Sequence, residues 1–146
     1  MSTATLPEGD WIRGITIRQP WATCILATKR VENRPAAWPW RGWLLLHSGK
    51  RLDRPALRDP LVATAIRGRE LHLGAVIGAA LLVDCHPDRG PEHCTSAWAQ
   101  RGVHHLILHD VRELPLPVPA TGALSAWKPT QHLVDQVLQQ LPDLQR

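Results

Sequence analysis

Lys29, Glu32, Asn33 and Arg34 bring an ammonium, a carboxylate, an amide and a guanidinium into one short stretch of chain. Glu32 and Arg34 are two apart in a segment that reads as extended, so their side chains share a face. Lys29 precedes them closely enough to converge on the same cleft. A lysine point charge and an arginine fork suit a phosphate or a polarised carbonyl. A carboxylate at Glu32 can accept from an exocyclic amine, as carboxylates do from cytosine, or act as a general base. The competing reading is structural. Lys29 at the end of a helix complements its dipole, and Glu32 simply pairs with Arg34.

Other residue types carry weaker signals. Trp21, Trp38 and Trp127 each have a face on which a base can stack, an interaction worth roughly 1–3 kcal/mol. Trp21 shares a helix face with Cys24 and Ile25 and reads as core, so Trp38, in a proline-rich loop, is the better stacking candidate. His47, Ser48 and Lys50 close a strand and join the candidate binding set with Trp127. Ser48 has no local base to activate it as a nucleophile. Cys85-His86 and His93-Cys94 offer zinc-ligand types, but adjacent ligands lack the usual spacing of two to four residues. His104, His105 and His109 divide between strand faces. Neither a metal nor a cofactor is therefore expected, and no glycine-rich phosphate loop is present.

These groups need a scaffold, and 146 residues with 44% hydrophobic content are enough for a single domain with one core. The aromatic content is all tryptophan, 7 of them with no Tyr or Phe, too many for all to be deeply buried. Lys and Arg total 17 against 13 Asp and Glu, a net charge of +4 that is compatible with a phosphate-bearing partner. Three cysteines and no apolar leader argue against a secreted disulfide framework. No run approaches the roughly 20 apolar residues of a membrane span. The expectation is a cytoplasmic protein without a membrane partner.

Along the chain, residues 1–13 read as a loose leader and 14–146 as the domain. Gly14 to Arg18 alternates as a strand, and Pro20 opens a helix that ends near Thr28. Pro35 to Arg41 is a loop, Gly42 to Ser48 a buried strand, and Asp53 to Arg67 a helix interrupted near Pro60. Gly74 to Cys85 is a central strand bent at Gly78. A short helix is expected around Trp98. Separate strands follow at Val103–His109 and Val111–Val118, with Pro115, Pro117 and Pro119 marking an edge. Gly122 to Trp127 is a last short strand. Thr130 caps a C-terminal helix with the stripe Leu133, Val134, Val137, Leu138 and Leu141. This order gives an α+β fold or a barrel, not a parallel βαβ array.

The run Ala27-Thr28-Lys29-Arg30-Val31-Glu32-Asn33-Arg34 resembles the ASCH signature Gly-x-Lys-x-x-Glu-x-Arg, with Ala27 in place of the glycine. Ile17-Arg18-Gln19-Pro20-Trp21 before it, Arg41-Gly42 and His47-Ser48-Gly49-Lys50 after it, and Gly122 to Trp127 late in the chain are similar to the family in the same order. The resemblance covers about Gly14 to Trp127. It implies a PUA-like β-barrel of about six strands with flanking helices, its signature residues facing a cleft. It also implies binding of RNA, DNA or a nucleobase, with RNA favoured. The alternative it implies is a hydrolase acting on modified cytidine or on RNA. Hydrolytic relatives use a Lys, a Thr and a Glu. Here Glu32 occupies the threonine position, and the later acidic position falls near Leu81, with Asp84 the closest carboxylate. Lys29 and Glu32 remain the catalytic candidates. Oligomeric state is not readable from these residues.

Overall fold

The computed structural model describes residues 11–145. Its elements in order are β1 (Ile12–Gln19), α1 (Trp21–Ala27), β2 (Val31–Arg34), β3 (Gly42–Leu52), a 3-10 turn (Pro55–Arg58), α2 (Pro60–Ile66), β4 (Ala75–Pro87), β5 (His104–Pro119), α3 (Gln131–Gln140) and a second 3-10 turn (Pro142–Gln145). This is an α+β fold. Among the described residues the strands form one mixed sheet in the order β1-β3-β4-β5-β2, with β1 parallel to β3 and every other pair antiparallel.

Alternation along β3 explains its continuous apolar run. Trp43 and Leu45 face a core completed by Leu133, Val134 and Val137 of α3. Leu44 and Leu46 face a second core with Ile15, Ile25, Leu82, Leu106 and Leu108, which includes α1. A strand buried on both faces has no polar side to show in sequence. α3 starts where expected, with the Thr130 hydroxyl accepting from Leu133 N at 3.1 Å. The helix interruption before Pro60 is also present, with Asp59 capping Leu61 N at 2.9 Å.

Several expectations are corrected. The sheet has five strands rather than about six, and it is not closed into a barrel. Val103–His109 and Val111–Val118 are one strand, because Asp110 takes a positive φ of 50° and bends the chain without ending its pairing to β4. The segment Gly122 to Trp127 supplies only an isolated bridge, Gly14 to Trp127. Gly14 is required there: a β-carbon would lie 2.2 Å from the Trp127 ring. No helix forms around Trp98. Side chains satisfy that backbone instead, with Ser96 Oγ accepting from Trp98 N and Asp88 accepting from Gly90 N and Gly102 N. Residues 1–10 of the expected leader lie outside the described residues, and Ile12 and Arg13 already belong to β1. No helix among the described residues is long and apolar enough to cross a membrane.

The two sheet edges, β1 and β2, come close to one another. Arg34 Nη2 donates to Thr16 O at 3.0 Å, spanning the gap between them. Among the described residues, the prolines of β5 fall where β4 is its only strand partner, since β2 pairs only with residues 104–107.

Candidate functional site

The gap between the sheet edges is set by the way α1 begins and ends. Gln19 Oε1 accepts from Thr23 N at 3.0 Å, fixing the first turn of α1. At the other end, Thr28 N and Lys29 N both donate to Cys24 O, at 2.9 and 2.8 Å. That turn folds Lys29 back toward β2, and Arg30 O then accepts from Leu108 N at 2.9 Å. Lys29 is delivered to the same side as Glu32 and Arg34, as the spacing predicts.

The result is a buried ionic chain. Lys29 is 2% exposed and Glu32 7%. Lys29 Nζ donates to Glu32 Oε1 at 2.6 Å, and Arg34 Nε donates to Glu32 Oε2 at 3.0 Å. Burial is the largest single influence on the Glu32 carboxyl and pushes its pKa up. The charges of Lys29 and Arg34, with the hydrogen bonds they donate, outweigh it and hold the carboxyl below its ordinary value. Glu32 is thus a fixed anion between two cations. Glu32 takes up one of the three Lys29 donors.

These side chains line a cleft of about 370 Å³ with Arg18, Trp21, Asn33, Asp53 and Gln100 among its other walls. Trp21 is partly exposed there, and its Nε1 donates to Asp53 Oδ2 at 2.9 Å, which holds the ring in place. Asn33 lines the cleft but is spent on scaffolding: its amide donates to Trp98 O and accepts from Gln100 N, both at 2.9 Å. That clamp brings Gln100 to the site. Charged lining comprises three cations, Arg18, Lys29 and Arg34, against two carboxylates, Glu32 and Asp53.

The remaining sequence candidates sit elsewhere. Trp38 is 8% exposed and packed in the second core, with the Arg34 guanidinium 5.5 Å from its ring centre. The surface it keeps lines a separate cleft of about 480 Å³, with Ala36, Pro39, Trp40 and Ser125, that does not include Lys29. The loop reading of its segment is right, with Pro35, Ala36, Ala37, Pro39 and Arg41 exposed, but Trp38 itself turns inward. Trp127 is likewise buried, against Gly14. Ser48 is fully buried and donates to Ala75 O at 3.0 Å. His47 Nε2 lies 2.7 Å from Ala120 O, an atom that only accepts, so the proton sits on Nε2. Nδ1 then accepts from the Thr16 hydroxyl at 3.2 Å, and that hydroxyl accepts from Trp127 Nε1 at 3.1 Å. Burial pushes the His47 pKa down, against the opposing hydrogen bond to Ala120, and keeps the ring neutral. Lys50 is exposed on a second cleft of about 390 Å³ that His47, Gly122 and Leu124 also line. Asp84 is exposed on β4 and does not line the cleft of Lys29.

Sequence reasoning missed Arg18, Thr16, Asp53 and Gln100 as cleft residues, and set Trp21 aside as core. Arg18 had a usable signal, since it alternates outward between Ile17 and Gln19. Gln100 had none, because the clamp that places it spans 67 residues. No protein-family model matches the chain, and no curated protein matches it significantly.

Proposed function

We propose that this chain is an ASCH-type, PUA-like domain whose charged cleft binds a single nucleobase or nucleoside, above all an unstacked base of single-stranded RNA. The observation that carries the reading is the buried Lys29 ammonium, with donors to spare, on the same cleft as the Trp21 ring held by Asp53. A cleft of about 370 Å³ lies in the range of small-ligand sites, roughly 300–1,000 Å³. It suits one base and not a duplex. Spare Lys29 donors suit a base carbonyl or a phosphate oxygen, Arg18 a phosphate, and the Trp21 face a stacked ring. The resemblance to the family signature and the near approach of the two edges of the open sheet support a PUA-like fold.

The hydrolase alternative fits less well. A general base works best with a pKa near the operating pH, and Glu32 is held on the low side. Glu32 stands where hydrolytic relatives carry a hydroxyl, and Asp84 is outside the cleft.

The test is titration of the protein with single-stranded RNA, the matching DNA, cytidine and N-acylated cytidine, with product analysis of each mixture. Trp21→Ala is expected to weaken binding about 5–150-fold, the equivalent of roughly 1–3 kcal/mol of stacking. With at most three cations available for phosphates, the single-strand affinity should fall with salt at a logarithmic slope no steeper than about −2. Failure of every ligand to bind, or binding unchanged by Trp21→Ala, would contradict the proposal.

A further inference from the structure

Outside the cleft, the fold takes one residue from each of two unpromising sequence pairs, Cys85-His86 and His93-Cys94, and adds a histidine from β5. His86, Cys94 and His105 place one ligand atom each within 4.8 Å of the others. We infer that these three side chains form a zinc-binding site that fastens the loop between β4 and β5.

His86 and His105 are directly opposed partners on the antiparallel β4–β5 ladder, so two ligands stand on rigid backbone. Their rings lie edge to face with centroids 5.3 Å apart. Each ring has one nitrogen engaged by a backbone carbonyl. His105 Nε2 lies 2.6 Å from Gln100 O, and His86 Nδ1 lies 3.0 Å from Pro87 O. This is the arrangement in which a carbonyl fixes the tautomer and turns the other nitrogen toward a metal. In His105 that other nitrogen, Nδ1, is buried with no hydrogen-bond partner, in a residue with no exposed surface. Buried polar atoms without partners are rare and costly. A metal lone-pair acceptor at that point removes the cost.

Cys94 supplies the third ligand from the loop and forms no disulfide. Tetrahedral zinc, with metal–nitrogen distances of about 2.0–2.1 Å and metal–sulfur of about 2.3 Å, sets ligand atoms roughly 3.3–3.7 Å apart. The three ligand atoms would draw together by about 1 Å on binding. Coordination turns the thiol into a thiolate and releases its proton to solvent. Two imidazoles and a thiolate favour zinc over magnesium or calcium. The fourth position is left for water.

The site has a consequence for the neighbouring cleft. Zinc on His105 Nδ1 strengthens the ring's hold on Gln100 O through Nε2. Gln100 is the residue that Asn33 clamps against the cleft. Asp88 already ties the base of this loop through Gly90 N, Gly102 N and Arg101.

The experiment is metal titration of the full chain after chelation, first with zinc and then with cobalt as a spectroscopic substitute. Wild type is expected to take up one equivalent of zinc. With cobalt it should show the ligand-field bands of a tetrahedral site and a thiolate-to-metal charge-transfer band. Cys94→Ser should lose the charge-transfer band and His86→Ala the bound equivalent. Cys85→Ser should retain both. Circular dichroism of each variant, all at positions with solvent contact, confirms that the fold survives. No uptake by wild type at micromolar free zinc would overturn the inference, as would a charge-transfer band that persists in Cys94→Ser or disappears in Cys85→Ser.

Discussion

Thr16 stands on the walls of two clefts that differ in how their polar groups are used. On one side lie Lys29, Glu32 and Arg34. Each Glu32 oxygen accepts from one of its two cations, and Lys29 keeps donors beyond the one it gives to Glu32. On the other side lie His47 and the exposed Lys50, with Ser48 and Trp127 buried off the cleft wall. Both His47 nitrogens, the Ser48 hydroxyl and the Trp127 indole N–H have partners within the fold. Both sets look equally chemical in a one-dimensional sequence. What separates the buried groups of the two sets is spare hydrogen-bonding capacity on a cleft wall. A group whose capacity is used up internally stabilises the fold. A group with donors left over, held on the wall of a cleft, can recognise something.

The contrast can be broken first at Lys29. Lys29→Met leaves Glu32 buried with Arg34 alone and should destabilise the fold by about 3–5 kcal/mol, the usual cost of removing one partner from a buried ion pair. Denaturant unfolding measures it. A loss under about 1 kcal/mol would mean that the pair is hydrated and behaves like a surface bridge.

A smaller effect is expected on the saturated side. Thr16→Val keeps the shape but strips the Trp127 N–H and His47 Nδ1 of their shared partner, for a loss of about 1–3 kcal/mol. The same unfolding experiment reads it. A neutral result would show that this network is not needed to hold Trp127 against Gly14.

Acid separates the two regions with the smallest effect. His47 has a lowered pKa in the fold, so the unfolded chain takes up its proton first as the pH drops. Its contribution is complete above the ordinary value of 6.5 and is lost as the pH falls through the folded value. Glu32, also lowered, contributes fully above its ordinary value of 4.5 and loses that contribution as the pH falls further. Stability against pH should therefore decline in two stages. His47→Gln should remove the upper stage and leave the lower one. A single decline below 4.5 in the wild type would contradict the neutral, buried His47.

How much of this was legible follows from the range of the interactions involved. The Lys29–Glu32–Arg34 convergence was readable because it is local, resting on one helix end and one extended segment. The α3 stripe and its Thr130 cap were readable for the same reason. The strand count was not, because Asp110 bends β5 without interrupting pairing that is decided by β4. Trp21 and Trp38 exchanged roles. Helical spacing makes Trp21 look buried, but the N-terminal end of α1 opens on the gap between sheet edges. A proline-rich loop makes Trp38 look exposed, but most of it packs against Arg34 and the core, and what stays accessible lines a different cleft. The histidine–cysteine cluster was hidden by adjacency in sequence, since the fold uses only one member of each pair.

The central claim is that the ligand enters the Lys29 cleft and not its neighbour, and the tryptophan indoles report on both. Trp21 Nε1 sits at the first cleft, bonded to Asp53, and Trp127 Nε1 belongs to the Thr16–His47 network beside the second. Heteronuclear NMR of the indole N–H signals during titration with a short single-stranded RNA, and separately with cytidine, distinguishes them. The account predicts that the Trp21 signal shifts progressively to saturation while that of Trp127 stays in place. A shift confined to Trp127, or none at Trp21 at saturating ligand, would contradict it.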